Sequence, residues 1–306
     1  MHLFFLLIIS VFTTQIFRIS ALDLFSDMAE ITHHFCLQHL PKKSSAISEL
    51  RALVCAENFT HLTQSELYIS SGLIHLFVVS GSHLLLLEKA LQADLLKKYL
   101  RSGPLLLLIT AYAMACGLSA PVTRALLTFY LGLFLYARNI RWPFYHKTLF
   151  IGLSCLVIQP EWLSSISLQL SWLAAFTVGF TEKFADQFSA LTRQSLFFFL
   201  LFPTLVFMQV PSPITIIMNL LLAPLLEFVL FPLGLLIWFI PFLHPVFDLL
   251  ITALRFILQR SELDYSYQLS PWPENLLFFN WGLIFTLQLL SQLLHTHWSR
   301  KKSLCL

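Results

Sequence analysis

The chain has 306 residues, of which 57% are hydrophobic and only 11% charged, with 30 phenylalanines, whereas a soluble domain carries about 25% charged residues. That balance excludes a soluble enzyme or binding module as the body of the protein and reads as a polytopic membrane protein. The formal net charge is +3, and Lys and Arg fall in short clusters between apolar runs, a pattern that reports membrane topology and not a nucleic-acid footprint.

Residues 1–18 read as an N-terminal membrane anchor or signal. Without a basic n-region or an A-x-A cleavage site, the uncleaved anchor is the better reading. Residues 19–68 are the most polar part, with Asp23, Asp27, Glu30, Glu49 and Glu57 set among His33, His34, Lys42, Lys43 and Arg51. This short extracytoplasmic segment is expected to form amphipathic helices but not an independent domain. Cys36 and Cys55 lie in it; a disulfide between them is one option if the segment is extracytoplasmic, and the sequence leaves open whether they pair.

Windows free of Asp, Glu, Lys and Arg then follow at 67–87, 102–123, 162–181, 194–226, 228–247 and 275–299. Most reach the roughly 20 residues that cross hydrocarbon. Shorter uncharged runs lie at 1–17, 125–137 and 148–160. The expected fold is an all-α, polytopic integral membrane helical bundle of about eight to ten membrane segments, some broken or re-entrant. It fills residues 69–294, and residues 295–306 form a basic cytoplasmic tail.

Basic clusters at 89–101, 138–147 and 300–302 belong in the cytoplasm by the positive-inside rule. Hairpins are therefore expected to turn near GLSAP (117–121) and QPEW (159–162). Pro224 and Pro232 predict a broken or re-entrant pair. The segment 243–260, with Asp248, Arg255 and Arg260, predicts an interfacial amphipathic helix.

Polar residues inside the apolar runs are the candidate site. Gly72, His75, Val79, Ser82 and His83 share a helical sector of roughly 100°, and Ser80, Gly81 and Ser82 allow close backbone approach. Arg124 follows a proline turn, where its alternatives are a buried partner, a hydrated cavity or snorkelling to the interface. Ser165, Gln169 and Trp172 share a face. Asn219, Ala223 and Glu227 lie one turn apart beside Pro224, with Glu227 a candidate partner for Arg124. Taken alone, most of these also read as satisfied packing positions. No catalytic residue emerges: a hydrolase using Ser80 or Ser82 with a histidine lacks a supporting GxSx motif, and HExxH is absent. Zinc-type Cys/His spacing is missing too, so neither a metal nor a cofactor is expected.

Four stretches in order resemble the ComEC-type competence proteins. SSGLIHLFVVSGSHLLLL (70–87) is similar to their Gly-leu-x-His and Ser-Gly-x-His signature, GLSAPVTRALLTFY (117–130) to Gly-x-x-x-Pro-x-x-Arg-Ala, ISLQLSWLAAF (166–176) to Gln-Leu-Ser, and NLLLAPLLEFVLFPLGLL (219–236) to Asn-leu-x-x-x-Pro. Ser82 stands where the family usually has an apolar residue.

The resemblance implies a multi-pass protein of the bacterial inner membrane that passes single-stranded transforming DNA into the cytoplasm. Its translocation path would draw on His75, Ser80, His83, Arg124, Gln169, Asn219 and Glu227, with Ser171 also matching, and Gly72, Gly81, Pro121 and Pro224 would set packing and helix breaks. Its partners would be single-stranded DNA, membrane lipid, a separate nuclease, a DNA receptor, a cytoplasmic translocation ATPase and further copies of the chain. Longer members add a nuclease-like domain with no counterpart here, so the chain is expected to be the channel module alone or a truncated product, not an enzyme. The alternatives are an intramembrane serine hydrolase and a family member moving small solutes.

Overall fold

The computed structural model describes residues 20–57, 67, 68, 71, 73, 83, 84, 86–88, 102–183, 189–207, 214–261 and 277–304. Among the described residues every regular element is helical and no strand occurs. The α-helices in chain order are α1 (Ser20–His39), α2 (Ile47–Cys55), α3 (Ser102–Ala115), α4 (Ala120–Ala137), α5 (Phe144–Ile158), α6 (Ile166–Lys183), α7 (Ala190–Leu205), α8 (Ile214–Leu225), α9 (Phe231–Phe239), α10 (His244–Ser261) and α11 (Leu277–Leu304).

Among the described residues three helical stretches are long and apolar enough to cross a membrane: Ala120–Ala137, Ile216–Phe239 and Pro241–Arg260, of 18, 24 and 20 residues. At about 1.5 Å per residue, 20 residues cover the roughly 30 Å hydrocarbon layer. Helix is the only open structure that satisfies its own backbone there. Phe134, Phe199, Leu221, Phe228, Phe239 and Leu249 are exposed on these and neighbouring helices, an arrangement that water penalises and lipid does not.

The chain turns at 116–119, between α3 and α4, and again through the 3₁₀ turn Pro160–Ser164 between α5 and α6. Two expectations are corrected. Ile214 to Phe239 is helical throughout, and between Pro224 and Pro232 it makes a π-helical turn, Leu226–Leu230, not a reversal of the chain. The ring of Pro232 would clash with the carbonyl four residues back, that of Phe228, which lies in this wider turn and so has room to move aside. The second correction concerns α10. Phe247, Ile251, Leu254 and Leu258 are buried while Leu249, Phe256 and Ile257 are exposed, and Asp248 and Arg255 are bonded to protein. Of the three charges only Arg260 is exposed, so they do not form the wet face expected of an interfacial helix.

The described residues fall into two compact units. The first holds Gln15–Leu126 and Gln209–Ser270. In it α1 packs on α2 and α3, and α9 on α2 and α10. A Cys36–Cys55 disulfide ties α1 to α2 across a Cα–Cα distance of 5.9 Å. Arg255 on α10 donates through Nε to Glu49 Oε1 on α2 at 2.9 Å, and the Tyr68 hydroxyl donates to the same oxygen at 3.0 Å. Ala46, just before α2, has no capping side chain. Asp248 caps the helix from α10 instead: its carboxylate accepts from Ser44 Oγ at 2.5 Å, from Ser45 N–H at 3.1 Å and from Ala46 N–H at 3.3 Å.

The second unit holds Leu127–Met208 and Pro271–Leu306. There α6 packs on α5, α7 and α11. A Cβ at Gly152 would overlap the ring of Trp172, so glycine alone permits this approach of α5 to α6. Trp172 is fully buried, with Trp281 of α11 edge-on at 5.4 Å. The Trp281 indole donates to the Leu163 carbonyl at 2.8 Å.

Candidate functional site

The segment GLSAPVTR shows how sequence places one ionisable group. Gly117 and Leu118 adopt φ values of +66° and +46°, and the N–H groups of 117 and 118 close α3 on the Met114 and Ala113 carbonyls at 2.8 and 3.1 Å. This is the left-handed helix ending that glycine favours. The ring of His33 from α1 would lie 3.5 Å from a Cβ on Gly117, and its Nδ1 meets the Ala115 carbonyl at 3.0 Å. Pro121, buried, is the second residue of α4, where its missing N–H costs no hydrogen bond. Thr123 Oγ1 donates back to the Leu118 carbonyl at 2.7 Å and fixes the turn. Arg124 follows, buried at 8% exposure. It is the fifth residue of α4, near the helix end whose free amides carry partial positive charge.

His83 is fully buried, its ring centroid 4.3 Å from that of Phe231 at a tilt of 30°. Tyr112 of α3 meets the same Phe231 edge-on at 6.3 Å. Phe231 opens α9 directly after the π-helical turn that carries Glu227. Glu227 is half-buried in that turn, and Asn219, two turns earlier on α8, is half-buried with its Oδ1 shielded from solvent. Pro224 lies between them and is exposed. Arg124, His83, Asn219 and Glu227 therefore come from three separate stretches of sequence and belong to the first unit. An ionisable group held among apolar helices is expensive, and π-helical turns gather at functional sites.

Gln169 belongs to the second unit, fully buried. Its Oε1 accepts from the Asn280 amide at 2.8 Å and its Nε2 donates to the Leu277 carbonyl at 3.4 Å, while Asn280 also donates to Thr204 Oγ1. The side chain joins α6 to α11, and Thr204 adds α7. Gly72, His75, Ser80 and Gly81 lie outside the described residues.

Sequence reasoning missed the cap from Asp248, the Glu49–Arg255–Tyr68 cluster and the partners of Gln169. One signal was available for the first two: an isolated charge in an apolar or amphipathic segment needs a partner. Burial, and then the Glu49 carboxylate, push the Tyr68 phenol above the ordinary tyrosine range, keeping it protonated as a donor to Glu49.

Helices with lipid-compatible outer faces and apolar stretches long enough to cross hydrocarbon define a membrane protein. A family model described as "Competence protein" matches residues 55–299, most of the chain. The chain belongs to that family. No curated protein and no solved structure matches it.

Proposed function

We propose that this chain is an inner-membrane channel component that passes single-stranded transforming DNA into the cytoplasm. Its family ties it to competence and DNA uptake. The observation that carries the finer reading is Arg124. It is a permanent cation held at 8% exposure at the positive end of α4, in the same unit as His83, Asn219 and Glu227. Passing phosphates need such cations to offset the loss of water, and the strand needs no sequence-specific contact. The passage works by positioning and electrostatics, and the reading requires no nucleophile or metal.

The disulfide supports an orientation in which α1 and α2 face the oxidising, extracytoplasmic side. The basic turn around Arg138 and Arg141 then faces the cytoplasm. Deleting the gene and following labelled DNA into the cytoplasm tests the function. Loss of internalised label with surface binding retained is expected; unchanged uptake and transformation would end the proposal.

A further inference from the structure

We infer that the turn between α4 and α5 is a binding site for the headgroup of an anionic phospholipid. Three cations lie within ten residues: Arg138 and Arg141, both exposed, and Lys147, half-buried. The sequence has no acid between Asp94 and Glu161, and none of the three cations has an ion-pair partner among the described residues. Their charge is uncompensated among the described residues.

The geometry aims these cations at a membrane surface. α4 is one of the stretches long enough to cross hydrocarbon, and it ends at Ala137. The N–H groups of Arg138 and Ile140 close it on the Phe134 and Leu135 carbonyls at 3.0 and 2.9 Å, and Asn139 takes a left-handed φ of +56°. The guanidinium of Arg138 does not project away from the span. It lies back over the ring of Phe134, 5.6 Å from the centroid, and Phe134 is itself 53% exposed on the helix's outer face. Tyr136, 87% exposed, stands beside it in the last turn of α4. Trp142 folds back onto α5, edge-on to Phe150 at 5.6 Å. Aromatic rings at the boundary, with Arg138 curled back over the span, match the depth of a lipid phosphate, whose negative charge complements the three cations. A nucleic acid would find the same charges, but Arg138 and Trp142 are turned to their own helices and offer it no open stacking platform.

The test uses the full-length protein in a neutral detergent. Phosphatidylglycerol and phosphatidylcholine of equal chain length are titrated separately, and bound lipid is counted by native mass spectrometry. Phosphatidylglycerol is expected to bind more tightly. R138Q, R141Q and K147Q should each weaken it by roughly fivefold, and the triple variant should erase the preference. The double variant R138K/R141K should keep the preference. Phosphatidylcholine binding should be unchanged throughout, which checks that each variant is folded. Equal binding of both lipids by the native protein, or a preference surviving in the triple variant, would overturn the inference. So would displacement of phosphatidylglycerol by a labelled single-stranded oligonucleotide that depends on the same three residues, because the site would then belong to nucleic acid. Lipid retention is read without DNA uptake, so this inference and the channel reading fail separately.

Discussion

Arg255 on α10 and Glu49 on α2 stand 206 residues apart in sequence, yet the guanidinium donates two hydrogen bonds to one carboxylate oxygen. Glu49 is 1% exposed at its side chain and Arg255 18%. Buried ion pairs gain little over apolar replacements, but removing one partner strands the other. Arg255→Leu should therefore cost about 3 kcal/mol, while Arg255→Leu combined with Glu49→Leu should cost distinctly less. Thermal unfolding of the detergent-solubilised variants measures both, and equal losses would show the pair is not coupled.

Two turns earlier on α10, Asp248 caps a helix that has no cap of its own. Asp248→Ala should destabilise by about 1 kcal/mol and Asp248→Asn by less, since the amide oxygen still accepts. Denaturant titration of both variants checks the order.

The Cys36–Cys55 bridge closes a sequence separation of 19 residues. Loss of a bridge over a loop of this size should cost about 3 kcal/mol. Cys36→Ser with Cys55→Ser should lower the unfolding temperature, and reductant should lower that of the native protein to a similar value but leave the double variant unchanged. Maleimide should label these two cysteines only after reduction and denaturation.

Tyr68 gives a pH dependence with a definite sign. Its phenol is raised in the folded state by burial and by Glu49, so it contributes stability that is fully present below the ordinary tyrosine value of about 10 and is lost as pH rises through the higher folded value. Alkaline unfolding should be shallower in Tyr68→Phe than in the native chain. Absorbance near 295 nm should show one phenol fewer with ionisation delayed until unfolding in Tyr68→Phe than in the native chain.

These clusters show what a single sequence conveys and what it leaves out. Runs without charge marked the helices, and GLSAP and QPEW marked turns, because lipid forbids unsatisfied backbone and polar turn residues collect at its edges. The π-helical turn was not readable, since Pro224 and Pro232 fit a chain reversal as well as a widened helix. Arg124, His83, Asn219 and Glu227 stood out as polar residues in apolar runs. Their common unit did not, because membership of one compact unit leaves no periodic trace. Asp248 and Arg255 fit the wet face of an amphipathic helix in the sequence, but the partners that turn them inward lie some 200 residues earlier.

The role of Arg124 decides whether the buried polar groups serve transport or only packing. The direct measurement is cytoplasmic uptake of labelled DNA in cells carrying Arg124→Gln or Arg124→Lys, with the membrane level of each protein matched by immunoblot. A cation acting on passing phosphate predicts at least a roughly tenfold fall for Arg124→Gln at equal protein level, with Arg124→Lys retaining most uptake. Native uptake by Arg124→Gln at that same protein level would contradict the channel reading of this site.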